Sequence, residues 1–177
     1  KLKLMVHNED WEGIRQMIKQ RQQCTVNKNK TDNDNTFEVF SRILTSDRAL
    51  PYKLLNKKND QQAEALFLTL VTLGGKNYVL KNITLFHHAI KRNCNTQVMT
   101  KLVEVGGREM VLKKNKNSNN PLHIAWKYKT PVDVVLKLIE VGGRELVLEK
   151  TKYGRNLLHL AFYNKASIDV VLKLIEV

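Results

Sequence analysis

Apolar positions recur most regularly in the second half of the chain. LVEVGGREMVLKKNKNSNNPLHIAWKYKTPVDVVLK (102–137) is followed by LIEVGGRELVLEKTKYGRNLLHLAFYNKASIDVVLK (138–173), identical at 21 of 36 positions. A looser copy, LVTLGGKNYVLKNITLFHHAIKRNCNTQVMTK (70–101), precedes them with four fewer residues in its middle. A period in the mid-thirties marks a supersecondary unit that buries its apolar face only against neighbouring copies.

Within a copy the pattern predicts two helices. The first follows Asn120 or Asn156 as N-cap and runs through Leu122, Ile124, Ala125 and Trp126, or Leu158, Leu160, Ala161 and Phe162. Pro121 sits at the first helical position, where no intrahelical N–H bond is lost. The second opens at Thr130-Pro131-Val132-Asp133, read as a cap, a helix-start proline and a first-turn acid. Val134, Val135, Leu138, Ile139 and Val141 then give an apolar face of 3.6-residue period. The pairs Gly74-Gly75, Gly106-Gly107 and Gly142-Gly143 are expected to end the second helices by permitting positive φ. A loop with an apolar start (Leu146, Val147, Leu148) and a charged tip then leads into the next copy.

The segments Asn120-Pro121-Leu122-His123-Ile124-Ala125 and Tyr153-Gly154-Arg155-Asn156-Leu157-Leu158-His159-Leu160-Ala161, each followed by Val-Val-Leu-Lys-Leu-Ile, resemble the ankyrin repeat family. The resemblance covers roughly 70–177 and implies an all-α solenoid of helix–turn–helix repeats. The unit departs from the family in having 36 residues rather than 33. Asn115 and Thr151 stand where Asp is usual, and Ser118 replaces a glycine. The second alanine becomes Ile90, Trp126 or Phe162, which is expected to hold neighbouring helices further apart.

Residues 1–69 do not repeat cleanly and read as degenerate helical or capping repeats, with a separate small helical domain as the alternative. Asp10–Gln20 places Trp11, Ile14, Met17 and Ile18 on one helical face; Phe37–Leu44 and Ala63–Leu73 also read as helices. Cys24–Thr36, rich in Asn, Lys and Asp without periodicity, reads as a loop. The domain reading is therefore 1–69, then copies at 70–101, 102–137 and 138–173, with another opening at Leu174. The chain is expected to continue beyond residue 177.

Composition narrows the functional classes. The formal net charge is +13, with 12 basic against 9 acidic residues in 1–69 and 18 against 8 from Leu70 onward. Such an excess favours acidic partners. Cys24 and Cys94 lack metal or redox spacing and fit a reducing, intracellular compartment, cytoplasmic or nuclear. No apolar run approaches the roughly 20 residues needed to span a bilayer.

His87, His123 and His159 recur at one repeat position. Metal binding needs nitrogens converging within about 2.1 Å of one ion, whereas stacked helices lie roughly 8–10 Å apart. The resemblance implies instead a structural histidine that bonds the backbone of the neighbouring loop. No phosphate loop, nucleophile elbow or paired carboxylates support catalysis, so the expectation is no enzyme, no cofactor and no metal.

Lys101, Lys137 and Lys173 each precede a glutamate by three residues and read as a solvated face. The loop and first-helix cations are less balanced. By resemblance, the concave binding face comprises Lys116, Asn117, Asn119, Lys152, Tyr153 and Arg155 from the loops. The first helices add the equivalent pairs Lys91 and Arg92, Lys127 and Tyr128, and Tyr163 and Asn164. The expected partner is a protein, with acidic chemistry the favoured match. Nucleic acid is the alternative on charge alone, without a motif, and a passive spacer the third reading.

Overall fold

Polar side chains next to apolar runs set where the helices start. In the computed structural model, which describes residues 5, 8–26, 49–57, 59–82 and 84–177, Asp10 Oδ1 accepts the Gly13 amide at 2.9 Å at the start of α1 (Trp11–Val26). Trp11, Ile14 and Ile18 are buried, as the 3.6-residue spacing predicts. The helix carries through Cys24–Val26, so the loop expected from Cys24 begins no earlier than residue 27. The sequence did not announce α2 (Leu50–Asn56), which has Pro51 in its first turn and buries Leu50, Leu54 and Leu55. Asp60 Oδ1 accepts the amides of Gln62 and Ala63, both at 3.0 Å, and caps α3 (Gln61–Lys81). The helix expected at Phe37–Leu44 lies outside the described residues.

All described secondary structure is helical, and the chain divides into two units, Lys1–Gly75 and Lys76–Val177. In the first, an ion pair joins Glu9, ahead of α1, to Lys57, after α2.

The second unit contains α4 (Thr84–Arg92), α5 (Thr96–Leu112), α6 (Pro121–Lys127), α7 (Val132–Leu148), α8 (Leu157–Tyr163) and α9 (Ile168–Glu176). The short helices α4, α6 and α8 pack one on the next, as do α5, α7 and α9, and each short helix also packs on the long helix that follows it. Two rows of helices result, with one core between them. Leu102, Val103, Leu138 and Ile139 are fully buried there, each worth about 1.5–3 kcal/mol relative to exposure.

The glycine pairs end one helical segment by positive φ, as expected, and a second segment opens directly after each of them. Gly107 (φ 59°, ψ −162°) and Gly143 (φ 60°, ψ −160°) break the helical path, and the chain re-enters helix as far as Leu112 and Leu148. Burial drives the return, because Met110, Val111, Leu146 and Val147 all enter the core. The first glycine of each pair provides room: a Cβ on Gly142 would stand 2.6 Å from Leu146 Cβ. The apolar start expected for the loop is thus a short helix. Thr130 is not the cap of α7 either: Pro131 holds that position without a side-chain bond, and Thr130 is buried.

Candidate functional site

Two short loops precede α6 and α8, and one residue shapes each. Asn115 Oδ1 accepts the amides of Asn117 (2.8 Å) and Asn119 (3.1 Å), while the Asn115 amide donates to the Asn119 carbonyl (2.9 Å). Thr151 Oγ1 accepts the amides of Tyr153 and Arg155, both at 3.3 Å, and the Thr151 amide donates to the Arg155 carbonyl (2.9 Å). These side-chain turns need a short oxygen acceptor, which Asn115 and Thr151 supply. Ser118 takes φ 57° and Gly154 φ 75° at the matching place. Lys116, Asn117, Lys152, Tyr153 and Arg155 are exposed and Asn119 is half-buried.

At the other end of the short helices, Lys91, Arg92, Lys127, Tyr163 and Asn164 are exposed and Tyr128 is half-buried. Asn164 Nδ2 donates to the Leu160 carbonyl at 2.7 Å. Burial first, then the charges of Arg92 and Lys91, hold the His88 imidazole below its ordinary range. The turns that follow contain a signal that sequence reasoning missed. Asn93, Lys129 and Lys165, at one repeat position, take φ of 50°, 52° and 53°. The next amides, of Cys94, Thr130 and Ala166, close back on Ala89, Ala125 and Ala161. Lys129 and Lys165 are thereby added to the exposed cations; the matching Asn93 was the sequence clue.

Aromatic rings are interleaved with these cations. Lys127 Nζ lies 5.8 Å from the Tyr128 ring centre and Lys152 Nζ 4.9 Å from that of Tyr153. Arg155 Cζ lies 6.0 Å from the Tyr163 ring centre, which joins the loop set to the helix set. Tyr153 and Tyr163 are 75% and 79% exposed. No hydrogen bond or ion pair joins a site residue of 115–128 to one of 151–164.

Charge is segregated between the two rows. The long helices carry Lys101–Glu104 (3.9 Å), Lys137–Glu140 (3.1 Å) and Lys173–Glu176 (3.4 Å), with Lys76–Glu109 (3.5 Å) and Arg108–Glu145 (2.8 Å) linking successive kinked segments. By contrast, Lys113, Lys116, Lys127, Lys129, Lys150, Lys152, Arg155 and Lys165 have no carboxylate partner among the described residues. Lys114 pairs with Glu149 at 3.0 Å, and Asp133 and Asp169 lie in the first turns of α7 and α9.

Glu149 is also a latch that the sequence did not reveal. Its Oε2 accepts Asn120 Nδ2 at 2.9 Å, while Asn120 Oδ1 accepts the His123 amide (2.9 Å) and the Asn120 amide donates to His123 Nδ1 (3.2 Å). Burial lowers the His123 pKa to about 4; Glu149, through its charge and backbone, raises it, and Lys114 lowers it. Two hydrogen bonds of His123 stay within its own copy, while the Glu149 backbone of the next loop also acts on its imidazole. Asn120 makes the side-chain bond that crosses to the next loop. His159 is exposed and 2.5 Å from Asn156 Oδ1 through Nδ1, and His87 is buried. Among the described residues, no three metal-ligating side chains converge and no helix is long and apolar enough to cross a membrane.

Comparisons of the chain with protein-family models, curated proteins and solved structures find no match.

Proposed function

We propose that the second unit is an ankyrin-like repeat array that works by binding rather than catalysis, gripping an acidic protein segment along its loops and short helices. What supports the array reading is the pairing of a 36-residue period with two rows of successively packed helices. The binding reading rests on the segregation of charge: ion pairs along the long helices and unpaired cations around exposed tyrosines on the loops and turns. Unpaired surface cations attract carboxylates at modest desolvation cost, and tyrosine adds contact area with little rotamer entropy to lose.

The test is fluorescence anisotropy with a labelled Glu/Tyr-rich peptide and with a single-stranded RNA of equal charge. Reversing Lys116, Lys127, Lys152 and Arg155 to Glu is expected to abolish peptide binding. Undiminished peptide binding removes the assignment to this face. Tighter binding to the RNA, falling steeply with salt, makes it a nucleic-acid surface.

A further inference from the structure

Equivalent positions in successive copies set a spacing that a bound segment has to match. The short helices α4, α6 and α8 pack one on the next, and packed helices lie roughly 8–10 Å apart. Exposed cations recur at that interval. Lys91 and Lys127 are equivalent on α4 and α6, and Lys129 and Lys165 are equivalent on the turns after α6 and α8. The loops repeat the interval, with Lys116 and Lys152 each one residue after the side-chain oxygen that shapes the turn. These positions are open in the middle of the array, where Lys91, Lys116, Lys127 and Lys129 are all exposed.

Regular backbones meet this interval differently. In a β-strand the side chains of one face recur at about 6.6 Å and about 13 Å, and both miss it. In an α-helix seven residues advance about 10.5 Å, so acids at every seventh position come close. In polyproline II three residues make one turn and advance about 9.3 Å. Every third side chain then faces the same way, one copy apart.

The tyrosines separate the last two. Tyr153 and Tyr163 are 75% and 79% exposed, and their positions do not owe this to the last copy, since the matching Asn117 and Lys127 are exposed too. A cation stands beside each ring, Lys152 at 4.9 Å from Tyr153 and Arg155 at 6.0 Å from Tyr163. Exposed aromatic rings are what polyproline II segments dock on, proline against ring. An α-helix has no proline to offer them.

We propose, building on the acidic-peptide reading of this face, that its ligand is a polyproline II segment with a carboxylate at every third residue and proline between. Laid across the short helices, it brings successive carboxylates to successive copies and its prolines to the tyrosines.

The test is fluorescence anisotropy on the full chain, at physiological ionic strength, with labelled peptides of one composition, three Glu and eight Pro. Pro-Pro-Glu-Pro-Pro-Glu-Pro-Pro-Glu-Pro-Pro is expected to bind about tenfold tighter than isomers with the three Glu adjacent or at every second position. The middle carboxylate meets the middle copy in either chain direction. Lys in place of the central Glu should therefore weaken binding to the parent about tenfold, and Lys127→Glu with Lys129→Glu should recover it. Both lysines are exposed, so that variant should unfold within about 2 °C of the parent. Equal binding of the isomers, or no recovery by charge reversal, overturns the proposal and leaves the acidic-peptide reading standing. So does binding of the Glu/Tyr-rich peptide but of none of these; binding of neither removes that reading as well. Tighter binding of an alanine-rich helix of equal charge, with Glu at every seventh position, overturns the polyproline assignment and makes the ligand a helix.

Discussion

Asn120 donates from Nδ2 to Glu149 Oε2 at 2.9 Å, so the residue that caps α6 also holds the start of the loop beyond α7. Losing a cap costs about 1 kcal/mol, and a part-buried hydrogen bond to a charged group adds roughly 1.5–3 kcal/mol. Asn120→Ala is therefore expected to destabilise the chain by about 2.5–4 kcal/mol in urea titrations. Asn156→Ala, which removes a cap alone, should cost about 1 kcal/mol. Equal losses at the two positions would show that the Glu149 bond contributes nothing.

The kink glycines lead to a second expectation. Gly143 lies at φ 60°, ψ −160°, a region that essentially only glycine occupies. An added Cβ there would meet nothing closer than Arg108 Nη1 at 3.6 Å, so the cost of substitution is one of backbone conformation rather than space. Gly143→Ala and Gly143→Asn should each cost about 1–3 kcal/mol. Asn should offer no relief, although it tolerates the ordinary left-handed region. At Gly142 the obstacle is Leu146, whose Cβ at 2.6 Å remains in Leu146→Ala, so the double variant Gly142→Ala, Leu146→Gly should lose less than the sum of its parts while Gly142→Ala, Leu146→Ala keeps a clash.

His123 gives the molecule an acid-side dependence. Its pKa is near 4 when folded and about 6.5 when unfolded, so between those values the unfolded chain binds the extra proton. Stability from the neutral imidazole is fully present above pH 6.5, falls as pH drops toward 4, and is flat below. With 1.36 kcal/mol per pKa unit and allowance for partial solvent screening, the loss is roughly 2–3 kcal/mol. His123→Gln should flatten this part of the profile relative to the parent in urea midpoints between pH 7 and 4. Parallel profiles would assign the acid loss to carboxylates instead.

Equivalent residues in different environments give a paired comparison. Ile139 is fully buried and Ile175 is exposed. Ile139→Ala should cost about 2–4 kcal/mol, and Ile175→Ala less than about 0.5 kcal/mol. Thermal unfolding of the two variants decides it; similar losses would contradict the open face on α9.

The Arg155–Tyr163 pair supplies a probe of binding that leaves folding alone. Tyr163→Leu removes an exposed ring and should leave the unfolding midpoint within about 0.5 kcal/mol of the parent. In the peptide anisotropy assay its affinity should drop about 3–10-fold, equivalent to ~1 kcal/mol. Unchanged affinity would place the contact elsewhere on the surface.

Much of the helical layout was legible because period 3.6 and the caps act locally. The Asn120 and Asn156 caps and the buried face of Trp11, Ile14 and Ile18 follow from neighbouring residues alone. The glycine pairs stop a helix as their positive φ implies, but the segment after them is helical rather than loop for a tertiary reason: Met110 and Leu146 gain enough burial for the chain to start another helix. Thr130 looked like a cap, yet its place against the core overrides its capping preference. Site cations were visible as a surplus; their segregation from acids was not, since pairs such as Arg108–Glu145 span 37 residues. Glu149 gave no signal at all, because its role depends on Asn120, 29 residues away.

Asn115 and Thr151 fix the path of their loops with one side-chain oxygen each, bonded only to main-chain amides. The exposed side chains at the loop tips therefore have no share in holding the turn. Lys116 and Asn117, or Lys152 and Tyr153, are exchangeable bits in a fixed chuck. A library randomised at those four positions should keep its fold while its recognition is rewritten.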